Sequence, residues 1–149
     1  MTGVTDFYGA NDGGDYSIEA FAKAIEEAEF IVSYNGLWYD LHALQGAVGR
    51  HVNPKYHIDL WDRIKDSLGG EYWGKGAWKL DRVARDTIGI GKTSANGAFA
   101  PSLFQEGRIG ELVTYLYRDT WILWRLFEHV VDEGWVLNPD GGRLYVDCG

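Results

Sequence analysis

The chain has 149 residues, 46% hydrophobic and 15% aromatic with seven Trp, a size and composition that suit one domain with a packed core and argue against disorder. Its formal net charge of −8 gives no support for a protein that clings passively to nucleic acid. Cys148 is the only cysteine, which excludes a disulfide framework and a thiol-rich zinc site, and no apolar run approaches the length of a membrane span, because Arg118, Asp119, Arg125 and Glu128 interrupt the longest candidate.

In chain order, the opening MTGVTDFYGANDGGD is acidic and polar, unlike a signal peptide. With the lone cysteine it points to a reducing, cytoplasmic setting. Residues 4–9 read as a short strand and 10–15 as a turn. Residues 17–28, SIEAFAKAIEEA, form an amphipathic helix with Ser17 as N-cap. Residues 29–34 are a short apolar run of the buried-strand kind. Asn35-Gly36 breaks it, and a helix follows over 39–48. Residues 56–61, YHIDLW, read as a strand leading into DRIKDSL, and EYWGKGAW as a loop of Gly and aromatics. Residues 79–88 form a helix stopped by Gly89 and Gly91. The stretch 91–107 reads as irregular, and a long helix covers 109–132. From Trp135 onward an apolar strand, a Pro-Asp-Gly-Gly turn and a second strand predict a terminal hairpin. There is no internal repeat. The alternation of strands and helices is that of an α/β fold, whose active residues tend to sit at strand ends.

Charge is uneven. Residues 1–40 hold Asp6, Asp12, Asp15, Glu19, Glu26, Glu27, Glu29 and Asp40 against Lys23 alone. Residues 74–92 hold Lys75, Lys79, Arg82, Arg85 and Lys92 against Asp81 and Asp86: a local basic face or a solvated helix face.

Two places carry candidate chemistry. The segment TYLYRDTWILWRLF, 114–127, is so apolar that it belongs in a protein interior, yet Asp119 lies in its middle. An unpaired buried carboxylate costs several kcal/mol or more, so a cation, a proton or a metal should compensate. Tyr115 lies one helical turn before it on the same face. A phenol and a carboxylate so placed could hold a metal-bound water, or Asp119 could pair with an Arg while Tyr115 fills the core. The segment YNGLWYD, 34–40, ends a buried strand and puts Asp40 at the start of a helix, where a carboxylate can face a cleft or simply suit the helix's first turn.

Together, and in order, these motifs resemble the DEDD-type, DnaQ-like 3′–5′ exonucleases of the RNase H-like fold. Asn35, Gly36, Leu37, Trp38, Tyr39 and Asp40 match that family's Asn-Gly/Asn segment ending in an aromatic and Asp. Asp59 and Leu60 match its Asp-Leu pair opening a helix. Leu80, Asp81, Val83, Ala84, Ile88, Gly89 and Lys92 match its next helix, and GRIGELVTYLYRD matches its Tyr-x-x-x-Asp helix. Tyr115 points to the DEDDy branch; Thr114 stands where the sibling branch has His. The resemblance runs from about 17 to 134, with 135–149 the terminal hairpin of a single domain. It is similar to the exonuclease-like domains attached to some helicases and to phage polymerase-type exonucleases, which implies a prokaryotic or phage-type setting.

The resemblance implies an RNase H-like mixed sheet flanked by helices. It also implies hydrolysis at DNA or RNA 3′ ends with two divalent cations, Mg²⁺ or Mn²⁺, roughly 4 Å apart on the scissile phosphate. Asp119 and Asp40 are then the expected metal ligands, Tyr115 orients the attacking water, and Asn35, Trp38 and Lys92 are expected to bind substrate. Trp38, Trp73 and Trp78 could stack on bases or fill the core.

One element of the family pattern is missing. No Asp-x-Glu precedes Asn35, and Tyr8 stands two residues after Asp6. The 28 residues between Asp6 and Asn35 leave little room for the strands that should follow such a motif. The domain is therefore expected to be N-terminally incomplete, with an upstream segment, helicase or polymerase module as a completing partner. The alternative is a degenerate, non-catalytic RNase H-like domain that binds nucleic acid or protein; a third reading is an unrelated α/β domain in which Tyr115 and Asp119 are structural. GIGKTS, 89–94, lacks the P-loop glycine because position 86 is Asp, and His42, His51, His57 and His129 form no zinc spacing.

Overall fold

The computed structural model describes residues 17–70, 74, 76–91 and 99–149. The strand expected at 4–9, the turn after it, Trp73 and Lys92 lie outside these residues. Among the described residues the architecture is mixed α/β, with helices around short strands and an antiparallel hairpin at the C-terminal end. Two compact units divide at Arg63/Ile64.

The first unit is a strand–helix–strand arrangement preceded by a helix. Helix α1 (Ile18–Glu27) starts where Ser17 Oγ accepts from Ala20 N at 3.2 Å, and its Ala22 is fully buried. Strand β1 (Ile31–Ser33) is shorter than the apolar run suggested. Helix α2 (Asp40–Val48) ends at Gly49, whose φ of 69° is left-handed and favours glycine. Ala22, Leu44 and Val52 form a small core, with Ile18, Ile25, Leu41 and Val48 packed on it. Arg50 ties the segment after α2 back to α1, donating to Glu19 at 2.7 Å and to Glu26 at 2.9 Å. Strand β2 (His57–Asp59) runs parallel to β1, with Ser33 opposite Asp59. Helix α3 (Leu60–Leu68) begins at once, so Leu60 and Trp61, expected in a strand, are helical. The correction follows from Asp59, which caps that helix as described below.

In the second unit α4 (Leu80–Ile88) ends at Gly89, φ 70°, and the long α6 (Ile109–Glu133) at Gly134, φ 75°. Val83 and Ala84 of α4, and Ile122, Leu126, Phe127 and Val130 of α6, are buried. Strands β3 (Trp135–Leu137) and β4 (Arg143–Tyr145) pair antiparallel with Val136 opposite Leu144. Thr87 Oγ1 accepts from Leu137 N at 3.0 Å and fastens α4 to the hairpin. The Arg143 guanidinium lies 4.3 Å from the Trp135 ring centroid, and His129 meets that ring edge-on at 4.6 Å.

Two expectations change, and one open alternative narrows to a solvated helix face. The stretch read as irregular contains helix α5 (Phe99–Gln105). Pro101 does not break it, because it sits in the first turn, where the missing N–H has no helical partner to lose. The segment 114–127 is not wholly interior: Leu116, Tyr117 and Trp121 are exposed, and the buried side chains begin at Ile122. The basic residues of α4 are largely spoken for, since Arg85 pairs with Asp81 at 3.4 Å and Arg82 with Asp86 at 3.6 Å.

Candidate functional site

The site begins with the parallel register. A strand directs residues i and i+2 to one face, so His57 and Asp59 share a face of β2, and Ser33 lies opposite Asp59. Asp59 is only 4% exposed. A buried carboxylate needs donors, and Asp59 has five. Its Oδ1 accepts from Asn35 N at 2.8 Å, Trp61 N at 3.1 Å and Asp62 N at 3.4 Å. Its Oδ2 accepts from Leu37 N at 2.8 Å and from the Ser33 hydroxyl at 3.1 Å. The Trp61 and Asp62 amides open α3, so Asp59 is that helix's N-cap. The other three donors come from the end of β1 and the turn after it.

That turn is shaped by the same contacts. Asn35 has a φ of 63°, a left-handed conformation that Asn tolerates better than most residues. Gly36 is buried; a Cβ there would lie 2.7 Å from Ser33 Cβ and 3.1 Å from Asp40 Oδ2, so only glycine fits. Gly36 O accepts from Leu41 N at 2.9 Å, and Leu37 O accepts from His42 Nδ1 at 3.2 Å. The turn is thus gripped by β2 on one side and α2 on the other. It delivers three side chains to the surface: Trp38, 59% exposed, Tyr39, 68% exposed, and Asp40. Trp38 Nε1 reaches Asp62 Oδ1 only at a long 3.4 Å.

Electrostatics around the turn follow from burial. Partial burial, and then the charge of Asp59, push the Asp40 carboxyl above its ordinary range. Burial also raises the Tyr34 phenol, with Asp59 adding to the effect, while Tyr34 stacks on Trp61 at 6.2 Å. His57 Nε2 lies 2.7 Å from Ser33 Oγ. Because that hydroxyl donates to Asp59, it accepts from Nε2–H, which fixes the His57 tautomer. His57 Nδ1 is buried with no hydrogen-bond partner, and burial lowers the imidazole pKa despite Asp59 and Asp62 nearby. The order of contacts, His to Ser to Asp, spends the serine proton on the carboxylate; it is a support and not a nucleophile.

In the second unit Tyr115 and Asp119 lie one turn apart on α6, both partly buried. Asp119 as a whole residue is only partly exposed, and its Oδ1 is shielded from solvent. Trp78 is a core residue, 6% exposed. Hard carboxylate oxygens suit Mg²⁺ or Mn²⁺. Yet among the described residues no three His, Cys, Asp or Glu side chains gather into a group that could hold a metal ion. Asp59 adds nothing to such a group, since five donors occupy the roughly four lone-pair positions of its carboxylate. The described residues by themselves do not fit a metal centre. No described helix is long and apolar enough to cross a membrane.

Asn35, Trp38 and Asp40, singled out from the sequence, lie on this one turn; Ser33 and His57, which support it, were not singled out, and Asp59 was read only as a motif position. A signal for Asp59 was present: Asp directly before an amphipathic helix is an N-cap. Nothing in the sequence announces that it also grips a turn more than twenty residues earlier.

The family model described as RNase H superfamily matches residues 4–131. No curated protein and no solved structure matches the chain.

Proposed function

The chain belongs to the RNase H superfamily, and on that premise we propose that it is a DEDDy-type, metal-dependent 3′–5′ exonuclease domain that hydrolyses phosphodiester bonds at DNA or RNA 3′ ends. The observation that carries this reading is the turn at the end of β1. It presents a carboxylate, Asp40, beside two exposed aromatic rings, Trp38 and Tyr39, on a backbone held from both sides. A phosphodiester end offers what such a surface can use: bases that stack on rings, and a scissile phosphate beside an acid.

Asp40 and Asp119 are the proposed acidic residues of the reaction, Tyr115 is proposed to orient the attacking water, and Asn35, Trp38 and Lys92 to bind substrate. Lys92 rests on the sequence resemblance alone. Dependence on Mg²⁺ or Mn²⁺ belongs to the reading, and the described carboxylates assign no step to the cation. An upstream segment, helicase or polymerase module is the proposed source of further ligands. The second reading is a non-catalytic RNase H-like domain that binds nucleic acid or protein.

Degradation of 3′- and 5′-labelled single-stranded DNA and RNA in Mn²⁺ separates the two. The exonuclease reading expects stepwise shortening from the 3′ end that falls at least 100-fold in both Asp40→Asn and Asp119→Asn. Binding of the strand without shortening supports the non-catalytic domain. Neither binding nor shortening overturns the exonuclease reading and leaves only a non-catalytic domain that binds protein.

A further inference from the structure

We propose that Asp59 is the positioning residue of the substrate-facing turn: its carboxylate sets where Trp38, Tyr39 and Asp40 are presented to a single strand of nucleic acid. The inference rests on the reading of that turn as the substrate surface and adds the residue that holds it.

The argument is in the division of donors. An N-cap needs only the first-turn amides, here Trp61 N and Asp62 N. Asp59 also takes Asn35 N and Leu37 N, both at 2.8 Å, the shortest of its contacts, and the Ser33 hydroxyl. Asn35 N and Leu37 N bracket Gly36, so the carboxylate fixes both ends of the tightest part of the turn. Trp38 follows Leu37 directly, and Asp40 Oδ2 lies close to where a Gly36 side chain would be. Ser33 is aimed in turn by His57 Nε2 at 2.7 Å. A turn carrying two exposed rings would otherwise sample many conformations, and ordering it on binding would cost affinity. Pre-ordering by a buried carboxylate removes that cost before the strand arrives.

Asparagine at position 59 discriminates between a cap and a positioning residue. Asn is as good an N-cap as Asp. With its carbonyl in the Oδ1 position it keeps Trp61 N, Asp62 N and Asn35 N, and Ser33 can turn to accept. Its amide then faces Leu37 N, donor against donor, and that bond is lost. A residue that only capped α3 would leave nucleic-acid binding unchanged in Asp59→Asn.

The experiment measures binding of fluorescein-labelled single-stranded DNA and RNA oligonucleotides by anisotropy, with EDTA present, for the full chain and three variants. Trp38→Ala tests the surface itself, Asp59→Asn tests the positioning, and Leu44→Ala, in the core under α2, controls for lost stability. The expected result is a loss of about tenfold in affinity for Trp38→Ala and a comparable loss for Asp59→Asn, with Leu44→Ala close to the parent. Wild-type affinity in Asp59→Asn beside a weakened Trp38→Ala overturns the inference and leaves the functional reading standing. No binding by the parent, or no effect of Trp38→Ala, overturns the functional reading and the inference with it. If Asp59→Asn does not fold, amide hydrogen exchange on the parent decides: protected Asn35 and Leu37 amides sustain the inference, and coil-like exchange at Leu37 overturns it.

Discussion

Asp40 is held by the fold in a place that does not favour its charge. Burial and the neighbouring Asp59 raise its pKa, so the folded state holds the Asp40 proton to higher pH than the unfolded chain does. The sign follows: this group's contribution to stability is fully present below the unfolded carboxylate value, about 3.9, and is lost as pH rises through the raised folded value. At neutral pH the charged side chain therefore weighs against folding. Asp40→Asn should make the protein slightly more stable at pH 7, by less than about 1 kcal/mol because solvent screens the group, while removing any cleavage. Urea unfolding at pH 7 checks it, and a destabilised variant would refute the assignment of strain to this carboxylate. His57 works in the opposite direction in pH. Its lowered pKa means the unfolded chain takes up the proton first, so stability is full above about pH 6.5 and falls as pH drops below it. His57→Gln should flatten that part of the stability–pH curve, measured as the unfolding midpoint between pH 5 and 7.5. Of the candidate residues on the turn, Asp40 and Trp38 stand out in the sequence because a motif contains them. The part played by Ser33 and His57 was not, because it depends on a tautomer and a strand register.

At the scale of elements, most boundaries follow from local chemistry. Ser17 caps α1, and Gly49, Gly89 and Gly134 end α2, α4 and α6 in the left-handed conformation that glycine alone adopts freely. Helix α5 escaped because a proline among small residues reads as a loop unless its place in the first turn is known. An aromatic after Ile-Asp-Leu fits a strand or a helix equally well at Trp61; the cap at Asp59 decides for the helix. Helix α4 and strand β3 are linked by a hydrogen bond to the Thr87 side chain. Thr87→Val keeps the shape and leaves Leu137 N without its acceptor, a cost of about 1–3 kcal/mol if water cannot reach it. Thermal unfolding should show a lower midpoint, and faster exchange at the Leu137 amide would localise the effect.

Over the whole chain, the acidic balance matters most. A formal charge of −8 gives little electrostatic attraction to an anionic strand, so binding that relies on ring stacking should depend only weakly on salt. The slope of log affinity against log salt for a single-stranded oligonucleotide should be shallow; a steep slope would point to a basic surface outside the described residues. Stability rests on a different set of residues. Leu126 is fully buried on α6, and Leu126→Ala should cost about 2–5 kcal/mol in urea unfolding.

By itself the sequence determined the described helices other than α5, the two short strands that end near Asn35 and at Asp59, the terminal hairpin and the superfamily resemblance. These depend on periodicity, caps and turn residues, which act over a few positions, and on motif order along the chain. Only the tertiary structure decided what holds the site. Asp59 reaches Asn35 and Leu37 because β1 and β2 pair in parallel with Ser33 opposite Asp59, and a register between strands 26 residues apart leaves no local mark. The structure also decided that the helix around Asp119 is only partly buried, because exposure is set by what packs against a face and not by how apolar that face is.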